Sequence, residues 1–144
     1  MALHLIKLCV GATSIADLEA WIAGRAAAAQ AAGQVFEQIH VTRMVPTRRD
    51  ELLAGGSLYW VIRGEVAARQ ALLDLRPFTD GEGVRRCALV LDPRVVPLVP
   101  RPSRPFQGWR YLPPADAPRD LAQEAAAADL PDEMRRELRD LGLL

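Results

Sequence analysis

Residues 55–64, Gly55-Gly56-Ser57-Leu58-Tyr59-Trp60-Val61-Ile62-Arg63-Gly64, constrain the fold more than any other stretch of the chain. A double glycine opens the run and a single glycine closes it. Most residues between them favour strands. The pattern predicts a buried β-strand with a tight turn at each end. Successive strand residues point to opposite faces, so Tyr59 and Trp60 belong to different layers. One is expected to fill a core. The other is expected to meet solvent, a second element or a ligand.

At 144 residues the chain is long enough to bury one core of its own. No apolar run approaches the length of a membrane span. Met1 to Val10 carries His4 and Lys7 inside its apolar run and no cleavage site follows, which predicts a cytoplasmic protein without a signal peptide. Cys9 and Cys87 lie far apart in apolar strand patterns and read as reduced core thiols. With His4 and His40 as the only histidines, and no clustered ligand spacing, no metal or other cofactor is expected.

The formal net charge is zero but unevenly spread. Residues 41–114 hold twelve basic and seven acidic groups, whereas residues 115–144 hold four basic and eight acidic. A basic middle and an acidic tail result, and the tail either covers the basic face or forms a solvated helix. Seventeen of the eighteen basic residues are arginine. A GC-rich genome explains that bias, yet arginine also gives planar, bidentate recognition of phosphate and carboxylate.

In chain order, His4 to Val10 predicts strand one. Thr13 or Ser14 caps a helix that runs through its alanines to Ala32 and stops at Gly33. Val35–Val41 reads as strand two, with Val35, Ile39 and Val41 on one face and Phe36 on the other. Thr47 is the expected cap of a short helix with Leu52-Leu53 on its apolar side. Strand three is the aromatic run. Residues 65–76 fit either a helix or a strand; the turn at Thr79-Asp80-Gly81-Glu82-Gly83 and the strand Val84–Leu91 favour a hairpin. Val95–Val99 is an edge strand interrupted by proline. Pro100–Pro105 is stiff and polyproline-like, projecting Arg101 and Arg104. Phe106–Leu112 is the last strand. Two helices, Asp116–Ala128 and Pro131–Leu141, end the chain.

The residues that invite a function are arginines beside aromatics. Cations neutralise phosphate and flat rings stack on unpaired bases, so this mixture fits single-stranded nucleic acid or a nucleotide. The candidates are Arg43, Tyr59, Trp60, Arg63, Arg69, Gln70, Arg104, Trp109 and Arg110. The plainer reading makes the aromatics core and rim residues. Ser57 lacks a nucleophile elbow because a strand, not a helix, follows it. Cys87 beside Arg85 and Arg86 reads as an inert buried thiol. His4 and His40 meet only if strands one and two pair.

Several runs resemble a family of small uncharacterised bacterial proteins, known only as a domain of unknown function and found chiefly in alphaproteobacteria. They are residues 3–11, His40-Val41-Thr42-Arg43-Met44, the run 55–64, Arg69-Gln70 and residues 104–112. The resemblance spans most of residues 1–125 and implies no activity. The order of elements is also similar to PUA-like small barrels, including the ASCH and EVE groups. That similarity implies RNA or modified bases held in a cleft lined by Arg43, Tyr59, Trp60, Arg63, Arg69 and Trp109.

The expected architecture is α+β over residues 1–114. It is a mixed, mostly antiparallel curved sheet or small PUA-like pseudo-barrel of about six strands with one long N-terminal helix. Residues 115–144 form a helical, acidic C-terminal extension. The expected function is a nucleic-acid or nucleotide-binding module, with RNA, single-stranded DNA or a nucleotide as partner and no membrane. One alternative is a protein-interaction module using the Arg-Pro segment. Another is a small enzyme acting on an anionic metabolite, a reading that a deep pocket containing His40 would favour.

Overall fold

The computed structural model describes residues 2–127, 136–137 and 141. Among these, the elements run β1 His4–Leu8, α1 Ile15–Ala31, β2 Gln38–Thr42, α2 Arg49–Leu53, β3 Ser57–Ile62, β4 Glu65–Thr79, β5 Arg85–Leu91, β6 Val96–Pro102, β7 Trp109–Leu112, a 3-10 turn Pro114–Asp116 and α3 Leu121–Ala127. The fold is mixed α+β. Its seven strands form a mostly antiparallel sheet of order β2-β5-β4-β3-β1-β7, with β6 also on β4, and the sheet does not close into a barrel. Only β1 and β3 run parallel.

β4 is the spine, and the stretch that fits both helix and strand is strand throughout. Its first half lies between β3 and β6; its second half pairs with β5. Register shifts at Trp60/Val61 and at Leu72/Asp74 mark bulges on either side of the transfer between partners. A bulge bends a strand and sharpens its twist, which lets one long strand serve two sheet regions.

The double glycine has two separate jobs. Gly55 has φ +101°, a left-handed conformation that disfavours side chains. At Gly56 a Cβ would lie 2.3 Å from the carbonyl oxygens of both Leu3 and Leu52. The backbone thus passes between β1 and α2 where only hydrogen fits.

All six residues of β3 are buried, so both predicted layers exist. Leu58, Trp60 and Ile62 join Leu5, Leu18, Ile22, Leu52, Leu89 and Leu91 in the larger cluster, under α1 and α2. Tyr59 and Val61 join Val66, Leu98 and Leu112 in a second cluster. Phe106 and Ala117, from the chain following β6, pack on that second cluster. Burying each such side chain contributes about 2 kcal/mol.

Several details differ from the sequence reading. The described residues hold seven strands, against about six expected. Strand two begins at Gln38, and Val35 stands 92% exposed. Arg48 rather than Thr47 occupies the cap of α2, without a side-chain cap bond, and the Thr47 N–H donates to Tyr111 Oη at 2.9 Å. β6 extends into the Pro-Arg segment as far as Pro102, where pairing with Glu65 and Val66 overrides a polyproline conformation. The last strand starts at Trp109, and the tail helix at Leu121 after a 3-10 turn. The helix read at Pro131–Leu141 lies, but for three positions, outside the described residues. Cys9 and Cys87 are buried and free.

Candidate functional site

The nine residues singled out from sequence divide into two groups. Tyr59, Trp60, Gln70 and Trp109 are buried, and Arg69 is half-buried. Trp60 Nε1 donates to Gln70 Oε1 at 3.0 Å, and Gln70 Nε2 donates to the Asp92 carbonyl at 2.9 Å. Gln70 therefore satisfies an indole inside the core and ties β4 to the end of β5. Trp109 Nε1 donates to the Met44 carbonyl at 2.7 Å. Arg69 grips Asp120 through two hydrogen bonds of 2.8 and 2.7 Å and donates to Ser57 Oγ at 3.0 Å, which fastens the segment before α3 to the second face. Arg43, Arg63, Arg104 and Arg110 are exposed.

The two histidines lie on opposite faces, because β1 pairs with β3 and β7 while β2 pairs with β5. His4 accepts the Ser57 N–H at Nδ1, 3.0 Å away, and its ring packs edge-on to Tyr59. His40 packs edge-on to Trp60 on the other face, with ring centroids 5.1 Å apart at 87°.

His40 opens onto a narrow cleft of about 80 Å³ on the larger-core side. Lys7, Cys9, Trp21, Arg25, Gln38, His40 and Trp60 contribute to its walls. Each is placed by local structure. Lys7 shares the parity of Leu5 on β1 and is half-buried. Trp21 and Arg25 stand one turn apart on α1. Gly11, at φ +94°, lets the Trp21 indole lie where a Cβ would come within 2.6 Å of it.

β2 carries its polarity inside out. Gln38, His40 and Thr42 point inward, whereas Val41 on the other face is 45% exposed. Two buried side-chain atoms on this strand have no hydrogen-bond partner, Gln38 Oε1 and His40 Nε2. They are the unsatisfied buried side-chain atoms among the described residues, and both belong to walls of the same cleft. Leaving such a group unpaired costs about 1–3 kcal/mol, so a strand that keeps two is unusual. A one-residue slip of β2 would turn Ile39 and Val41 inward and remove both.

The electrostatics follow from this enclosure. Burial, reinforced by the positive charges of Lys7 and Arg25, pushes His40 down to about 4, so the imidazole is neutral at pH 7. Burial also raises the Cys9 thiol, which keeps it protonated. The cleft is thus lined by Gln38, a neutral imidazole, two cations and indole walls. Among the described residues no three His, Cys, Asp or Glu side chains gather as a metal site, and no helix is long and apolar enough to cross a membrane. A larger groove beside β6 and Pro118 has its arginines engaged, Arg101 by the Asp116 carbonyl and Arg119 by Glu124.

Sequence reasoning reached Trp60 but not Lys7, Trp21, Arg25 or Gln38. The available signal was a strand whose alternation places Gln38 and His40 on one face, opposite three valine and isoleucine residues.

No curated protein and no solved structure matches this chain. A family model described as a protein of unknown function matches residues 5–144, and the chain accordingly belongs to the DUF1489 family.

Proposed function

We propose that the protein binds a small anionic ligand, a phosphorylated or carboxylated metabolite with nucleotides among the class, in the His40 cleft. The observation that carries this reading is the pair of buried, partnerless atoms, Gln38 Oε1 and His40 Nε2, flanked by Lys7 and Arg25. Gln38 Oε1 only accepts, so the ligand brings a hydrogen-bond donor to it. The two cations then neutralise an anionic group beside His40. A volume of about 80 Å³ suits a headgroup rather than a whole cofactor. The rest of a larger ligand would extend past Trp21.

Binding fits better than proton-transfer catalysis. An imidazole at about 4 is a weak base at neutral pH, and a general base works best near the operating pH.

The test is thermal unfolding with inorganic phosphate, acetate and AMP, each titrated to 10 mM. Binding to the folded state raises Tm as RT ln(1 + [L]/Kd) predicts. At least one probe is expected to stabilise the wild type, with little effect on Arg25→Ala or Lys7→Ala. Gln38→Leu is expected to raise the ligand-free Tm and to lose the response. No shift with any probe, or an unchanged response in both cation variants, refutes the reading.

A further inference from the structure

Gly24 is out of place in α1. Glycine in a helix interior is less stable than alanine, and the positions around it are largely alanine. Every other glycine among the described residues has a structural reason. Six take positive φ, Gly56 passes between backbone oxygens, and Gly81 lies in a turn. At Gly24 the backbone is helical, and a Cβ would meet nothing within 4 Å. Neither the backbone conformation nor any described neighbour requires glycine there.

What Gly24 does is keep a surface low. Ala20, Gly24 and Ala28 fall at four-residue spacing on the exposed side of α1, with Trp21 and Arg25 beside them, and together they line a shallow, open shelf. Its floor carries nothing larger than a methyl group. Trp21 and Arg25 also line the His40 cleft, so shelf and cleft share one rim.

Trp21 differs from the other two tryptophans. Trp60 and Trp109 are buried, and their indole N–H groups donate to Gln70 and to the Met44 carbonyl. Trp21 is 44% exposed, and its N–H has no partner among the described residues. Those two rings belong to the frame, whereas this one is offered to whatever lies on the shelf.

The cleft supplies the polar half of the site. Gln38, 5% exposed, keeps Oε1 without a partner in its wall, and Lys7 and Arg25 stand in the same walls. A volume of about 80 Å³ takes an anionic headgroup, and the shelf adjoins it across Trp21 and Arg25. An alkyl chain laid on so open a surface keeps most of its area in water. A flat ring fares better, because contact of one face with an indole captures stacking while the other face stays wet. A planar guanidinium at the rim suits a ring as well.

We propose that the shelf binds a flat aromatic ring joined to the anionic group in the cleft, so that the ligand is an aryl or nucleobase-bearing anion rather than a simple acid or sugar phosphate. This rests on the cleft reading and narrows it. Gly24 gives the ring clearance, Trp21 stacks on it, and Arg25 borders both halves.

The test is calorimetric titration of the full chain with two pairs of probes, AMP against ribose 5-phosphate and phenylacetate against acetate. Each pair shares an anionic group and differs by a ring. Wild type is expected to bind the ring-bearing member of at least one pair about fivefold or more tightly, and that pair identifies the anion. Trp21→Ala is expected to erase the gain. Gly24→Leu separates the site from the fold. It places a good helix former over open space, so Tm is expected to rise by about 2 °C, while the new side chain fills the shelf and removes the gain. The ring-free probe should bind this variant as it binds wild type. Equal affinities within both pairs overturn the proposal and leave the cleft reading standing where the simple anions bind. Gly24→Leu or Trp21→Ala holding the ring-bearing probe like wild type also overturns it. No binding of any of the four refutes the cleft reading and this proposal together.

Discussion

Lowering the pH from 7.5 to 5 should destabilise this protein chiefly through one buried side chain. Burial, with Lys7 and Arg25 nearby, holds His40 at about 4, against 6.5 for an unperturbed histidine. The folded state therefore refuses a proton that the unfolded chain accepts. Stability is full above about pH 6.5 and falls as the pH drops toward 4, because the unfolded state binds more protons across that window. Integrating the two titrations gives a loss of about 1.4 kcal/mol at pH 5.5 and about 2 kcal/mol at pH 5. For a chain of this size that corresponds to about 4–8 °C in Tm. His4 is displaced in the same direction, by burial first and then by Arg69, and adds to the wild-type slope. The difference between wild type and His40→Gln isolates the His40 contribution. Asp17, Asp74, Asp80 and Glu37 are held below the ordinary carboxylate range by their hydrogen bonds, so their protonation falls below this window. Urea unfolding at half-unit pH steps measures the slopes. Equal slopes in wild type and His40→Gln, or an NMR titration of His40 near 6.5, would refute the reasoning.

Other perturbations probe the frame around the site. Gly56→Ala places a methyl carbon 2.3 Å from two backbone oxygens, and a loss of about 3 kcal/mol or more is expected in urea unfolding. Gln70→Leu keeps the volume but strands the Trp60 indole N–H and the Asp92 carbonyl; equilibrium unfolding should register about 3 kcal/mol. Asp120→Ala leaves the half-buried Arg69 guanidinium without its carboxylate, with an expected loss of about 2 kcal/mol. Hydrogen exchange in that variant should show faster opening of the Val99 N–H, which donates to the Arg119 carbonyl at 2.9 Å.

Much of the frame was legible because it depends on local rules. The glycines around β3, the run of alanines in α1 and the turn before Val84 each announce one backbone outcome. The stretch 65–76 was readable as strand only through its partner β5, and its extension to Thr79 depends on that pairing. The two-sided burial of β3 was legible as parity, but the cover over Tyr59 was not. That cover is the chain after β6, held by Arg69 and Asp120, a contact 51 positions apart in sequence. For strand two the alternation sorts Val35, Ile39 and Val41 onto one face but does not say which face goes inward. Register against β5 turns Gln38 and His40 inward. The cleft was illegible for the same reason: Lys7, Arg25 and His40 come from β1, α1 and β2, and no spacing rule links them.

The inverted strand carries a thermodynamic signature that separates site from scaffold. At Gly56 or Gln70 the residue present is the one the fold needs, so replacement lowers stability. At Gln38 and His40 an apolar side chain on β2 is expected to serve the fold better. Selection for stability alone would replace such residues, since each change is a single step and each improves the folded state. Under the proposed binding role, an occupant of the cleft satisfies those buried atoms, which the folding equilibrium alone does not. The sign of a stability change thus becomes a test for function at each position. A residue whose removal stabilises the protein while abolishing binding marks the site; one whose removal weakens both marks the frame.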